Sequence, residues 1–180
     1  MIVDLPADIT AKARLPHNIF MLNLALFHLL MTPASIALEI GISGMLVPLM
    51  LSLAVITYTY IKSRKLEQTA HWFVLAHWKL AVKRYRILLI SYAVTATLIL
   101  IGWLLAMSSP DPHMQNILQT VFIRIAIMPV LLIVMVNFYL ESSAISMTSR
   151  GEVPDTIINM LPESAKNQCQ QSAPENQRDL

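Results

Sequence analysis

A chain of 180 residues that is 56% hydrophobic and only 13% charged carries more apolar surface than a soluble domain of that size can hide. Its net charge of +2 is small, so the distribution of charge says more than the total. The single cysteine, Cys169, lies in a polar stretch and excludes both a disulfide framework and a cysteine metal cluster.

Residues 1–18 form a polar lead. Lys12 and Arg14 precede an apolar stretch, and Ser35-Ile36-Ala37 has the small residues of a cleavage site. Pro6, Pro16, Asp4 and Asp8 inside the lead argue instead for a cytoplasmic flank of a retained helix. The first apolar run spans 19–38, with Asn18 as its expected N-cap. Glu39, Gly41 and Gly44 mark a tight turn, and the second run covers 42–61. The third and fourth runs, 87–107 and 121–140, are separated by a loop broken at Pro110 and Pro112. A helix rises about 1.5 Å per residue, so about 20 residues match a hydrocarbon core of roughly 30 Å. The expected fold is an all-α membrane bundle of four helices over residues 1–149.

Lys62, Arg64, Lys65, Lys79, Lys83, Arg84 and Arg86 crowd the connection between the second and third runs. The other two connections hold no Lys or Arg. The positive-inside rule puts the 62–86 segment and both termini in the cytoplasm, as in a bacterial inner membrane. Residues 66–86 lack Pro and Gly and read as an amphipathic cytoplasmic helix, with Trp72, Phe73 and Trp78 as interfacial aromatics. Its expected partners are anionic lipid headgroups, and its position between two spans argues against nucleic acid. Residues 150–180 turn polar and Gln-rich, the composition of a disordered tail.

Three patterns are candidates for function. On the first helix, Asn18, Ala25, His28, Thr32, Ser35 and Glu39 share a face, which should look into protein rather than lipid. Arg124 lies inside the fourth run, at a depth where Glu39 is an expected ion-pair partner. Ser91, Thr95, Gly102 and Ala106 make a small-residue seam, on which helix backbones approach closely. Pro33, Pro48 and Pro129 fall inside the runs, each removing a backbone donor.

No phosphate-binding glycine loop, HExxH, nucleophile elbow or CxxC is present, so nothing points to an enzyme or a resident cofactor. Haem between membrane helices uses two histidines at similar depth, and His17, His71, His77 and His113 lie outside the apolar runs. His71 and His77 stand about 120° apart on a helix and cannot grip one metal. The expected role is an accessory, assembly or scaffolding subunit that pairs with another membrane protein or with a second copy. The alternatives are a small oligomeric transporter or channel, and a haem- or quinone-linked redox protein using His28.

Overall fold

The computed structural model describes residues 2–38 and 42–172. The chain is helical. α1 (Ala7–Asn23) passes into a π-helical segment (Leu24–Met31) and then into α2 (Thr32–Ala37). α3 (Ile42–Leu66), α4 (Trp72–Ser108) and α5 (Pro112–Ser149) follow, with two short helices, α6 (Asp155–Ile158) and α7 (Glu163–Ser172). Among the described residues, four stretches are long and apolar enough to cross a membrane: Ala7–Ser35, Leu46–Leu66, Trp72–Ser108 and Pro112–Ser149. This is an all-α membrane protein.

The helices are longer than the apolar runs. α1 starts after Pro6, twelve residues before the expected start at 19, so Asn18 is an exposed mid-helix residue rather than a cap. α5 starts at Pro112, where Asp111 accepts the His113 N–H through Oδ1 at 2.9 Å. Proline fits such a first turn, because its missing N–H would have had no helical partner. The expected loop 108–120 therefore shrinks to a few residues. Pro33 lies just after the π segment, and the Thr32 N–H bonds back to the Phe27 carbonyl, five residues earlier. Widening the turn moves carbonyls away from the proline ring, which a regular helix would crowd.

The chain divides into two compact units, residues 1–83 with 138–180, and residues 84–137. In the first, α1, the π segment and α2 pack on α3. The expected amphipathic helix over 66–86 is not a separate element, because α3 ends at Leu66 and Trp72 opens a helix that continues to Ser108. Nor do its aromatics face a membrane surface. Trp72 and Phe73 are completely buried and Trp78 nearly so, in a core that includes Ala13, Leu75, Ala144, Ile157, Leu161 and Cys169. The physical reason lies downstream. α6, α7 and the turn between them supply Ile157, Leu161, Ala165 and Cys169 to this core, although residues 150–180 read as a polar tail. Trp72 donates its indole N–H to Ser172 Oγ at 3.3 Å, at the end of α7. A backbone turn anchors the same core. Gly151 adopts φ +67, where a side chain would overlap the Val3 carbonyl, and its own carbonyl accepts the Val3 N–H at 3.0 Å.

In the second unit, the parts of α4 and α5 that it contains pack through the small-residue seam. Thr95 Oγ1 donates to the Ala126 carbonyl at 2.7 Å, and a Cβ at Gly102 would overlap the Phe122 side chain. Ala106 is fully buried. The seam thus serves packing within the chain.

Candidate functional site: a buried carboxylate–imidazole chain

Helical spacing sets which side chains turn inward. On α5, Val134, Asn137, Glu141, Ala144 and Thr148 recur every three or four residues and are all buried. On α1 the buried residues include Ala13, His17, Phe20 and Asn23. On α4, seven consecutive residues from Trp72 to Trp78 are buried, so that stretch is surrounded and His77 has no exposed surface.

These three helices bring together His17, His77 and Glu141, each with no exposed surface. Glu141 Oε2 lies 2.6 Å from His17 Nδ1, and His17 Nε2 lies 2.9 Å from His77 Nδ1. The two imidazoles meet edge to face, with centroids 5.1 Å apart, and the Phe73 ring lies 4.7 Å from His77. Two short hydrogen bonds therefore connect a carboxylate to two imidazoles in a line.

The donor assignment constrains the chemistry. When Glu141 is ionised it only accepts, and His17 Nδ1 then carries the proton of the 2.6 Å contact. The bond between the imidazoles then forms in either of two ways. A neutral His17 accepts at Nε2 from His77 Nδ1–H, or a charged His17 donates to an unprotonated His77 Nδ1. One proton can thus sit on either side of the 2.9 Å bond without breaking the chain. A proton on the imidazole pair also compensates the Glu141 charge, which burial would otherwise make costly. Both ring nitrogens of His17 are engaged, so neither is open to iron in this arrangement.

No family model, curated protein or solved structure matches this chain. What the site does must therefore be argued from its own geometry.

The residues singled out from the sequence are not brought together. His28 is buried within the π segment. Thr32 and Ser35 donate to carbonyls of their own helix, Phe27 at 2.8 Å and Met31 at 2.9 Å. The π segment breaks the spacing on which the stripe depended, and Asn18 is exposed while His28 is buried. Arg124 is exposed on α5. Glu39, and with it the expected Arg124–Glu39 pair, lies outside the described residues.

Sequence reasoning missed His17, His77 and Glu141 because all three lie outside the apolar runs. One signal was present. Glu141 is the sole acid between Asp111 and Glu152, and it falls in register with Asn137, Ala144 and Thr148 on one helix face.

The interior of the first unit is polar beyond this chain. Asn23 and Ser35 accompany His17 and His28 on the first helix, and α3 turns Ser52, Thr59 and Ser63 inward. The hydroxyl of Thr59 is occupied by the Val55 carbonyl at 2.9 Å. Both amide atoms of Asn23 are buried without a hydrogen-bond partner among the described residues. An unsatisfied buried amide costs about 1–3 kcal/mol.

Proposed function

We propose that the protein is a small proton-handling transport protein of a membrane, and that Glu141, His17 and His77 hold and pass the proton. The observation that carries this reading is the continuous chain of 2.6 and 2.9 Å contacts through three fully buried titratable side chains. Ionisable groups inside membrane proteins are expensive and mark proton or ion pathways. The accessory role expected from the sequence drew on the small-residue seam, the basic helix and the lack of paired buried ionisable groups, and this trio removes the last of these supports. From His17 to Ser35 the first helix rises roughly 25 Å, close to the hydrocarbon thickness. His17, Asn23, His28 and Ser35 are buried along that length, which supports a route for protons on this helix. The concentration of Lys and Arg in 62–86 supports a cytoplasmic location for the end that holds Glu141.

The test is proton flux into liposomes holding the purified protein and a pH-sensitive dye, under an imposed gradient. Wild-type protein should dissipate the gradient faster than empty liposomes. Glu141→Gln keeps the shape and an acceptor for His17 but cannot exchange a proton, and should slow flux at least about tenfold, the scale on which removing a proton-transfer group acts. Thermal unfolding of the variant checks that the fold survives. Wild-type liposomes no faster than empty ones would sink the reading and return the accessory role to first place. Unchanged flux in a folded Glu141→Gln protein would do the same for the assigned trio.

A further inference from the structure

Away from the buried chain, α1, α3 and the start of α4 enclose a surface cleft of about 360 Å³. Its walls are of two kinds. Lys12, Lys62 and His71 are polar, whereas Leu15, Leu66 and Trp78 are apolar. Lys62 has no carboxylate or hydrogen-bond partner among the described residues, a costly way to leave an ammonium that is only partly exposed. Lys12 has Asp8 at 3.3 Å, with side chains 70% and 64% exposed, a solvated pair that contributes little. His71 Nδ1 accepts the Phe73 N–H at 3.3 Å, so the ring keeps a donor at Nε2. Burial lowers the proton affinity of His71 below the ordinary histidine value, opposed by the nearby Asp8, so near neutral pH the ring is an uncharged donor.

The cleft lies where two membrane-spanning segments change character. Lys62 directly follows the second apolar run, and Lys12 precedes the first. Cations at that level, over an apolar floor, match the two ends of one molecule: a phosphate in the headgroup layer and an acyl chain below it. We propose that this cleft is a binding site for one anionic phospholipid, with Lys12 and Lys62 on its phosphate and Leu15, Leu66 and Trp78 against its acyl chain. The site is independent of proton handling and stands or falls by itself.

The experiment compares thermal unfolding of the full chain in phosphatidylcholine nanodiscs with and without phosphatidylglycerol, alongside mass spectrometry of the lipid that stays bound. Phosphatidylglycerol should raise the unfolding temperature of the wild type and remain bound. The double variant Lys12→Gln, Lys62→Gln should retain it about thirtyfold more weakly, since two headgroup contacts at about 1 kcal/mol each are lost. The double arginine variant, Lys12→Arg with Lys62→Arg, should retain it. Lys65→Gln, an exposed cation outside the cleft, should leave binding unchanged. Equal loss with Lys65→Gln, or wild-type retention by the double glutamine variant, would reduce the effect to diffuse surface charge and overturn the proposal. Inorganic phosphate added in detergent should give no shift. If it alone reproduces the stabilisation, the ligand is a soluble phosphate compound and the lipid assignment is wrong.

Discussion

The two ends of α4 are both apolar, yet they face different surroundings. From Trp72 to Ala81 every residue but Lys79 is buried, and Lys79 is held by Glu67 at 2.7 Å. From Ile87 to Met107 most large side chains are exposed, including Ile90 at 63% and Trp103 at 49%. A 37-residue helix is about 56 Å long, nearly twice a hydrocarbon thickness. The difference teaches that mean hydropathy does not distinguish a segment solvated by lipid from one solvated by its own protein. The first end makes a packed core and should obey the rules of soluble cores. The second presents its large side chains outward and relies on small residues where it packs.

Paired substitutions test that contrast most directly. Trp78→Ala should cost about 3–5 kcal/mol, as expected for a large aromatic removed from a core. Trp103→Ala should change stability by less than about 0.5 kcal/mol. Unfolding in detergent followed by circular dichroism measures both, and similar costs would erase the distinction between the two ends.

The seam at the other end should respond to added volume rather than lost volume. Gly102→Val forces a side chain into Phe122 and should destabilise by about 1–3 kcal/mol. Ala96→Val, on an exposed part of the same helix, should be close to neutral. Equal tolerance at both positions would mean that the close approach at Gly102 is not required.

α7 belongs to the core end of the comparison. Ending the chain at Pro162 should destabilise by about 1–3 kcal/mol, because Trp72 loses part of its cover. Cys169 reports the docking of α7 without any truncation. Burial raises its pKa above the ordinary thiol value, so thiolate is scarce and a maleimide should label it slowly in the native protein and quickly after unfolding. Rapid native labelling would show that α7 does not stay docked.

The smallest effect is one of pH. His71 has a lowered pKa in the folded protein, so below the unfolded value of about 6.5 the unfolded chain binds the proton more readily. Its contribution to stability is complete at higher pH and declines as pH falls from about 6.5 toward the folded value. His71→Asn retains a side-chain acceptor for the Phe73 N–H and should flatten that part of the stability profile. An unchanged profile would place the titration elsewhere.

Four membrane helices were legible in the sequence because apolar length is a direct physical requirement of the bilayer. Their true ends were not, since α4 and α5 extend past the apolar runs into stretches that carry polar or charged residues. The seam was legible too, as small residues at four- and seven-residue spacing permit close backbones. Its partner, the Phe122 and Ala126 region of α5, was not. The stripe through His28 runs across the π segment, which changes the residues per turn in a way that no fixed period anticipates. Trp72 and Trp78 were read as interfacial because their neighbours are basic, whereas the core they join also draws Ile157, Leu161, Ala165 and Cys169 from a stretch poor in apolar residues. His17, His77 and Glu141 are separated by 60 and 64 residues along the chain, so only the tertiary fold could join them.

The length of chain between these partners also fixes an order of events during synthesis. His17 leaves the ribosome 124 residues before Glu141, an interval of roughly 6–25 s at usual elongation rates. Throughout that time α1 must remain in or beside the bilayer with an imidazole that has yet to meet its carboxylate. The junction can close only when the end of α5 emerges, and α6 and α7 can cover Trp72 only after that. A nascent chain stalled before residue 141 would therefore hold its first hairpin and a histidine pair still without its carboxylate.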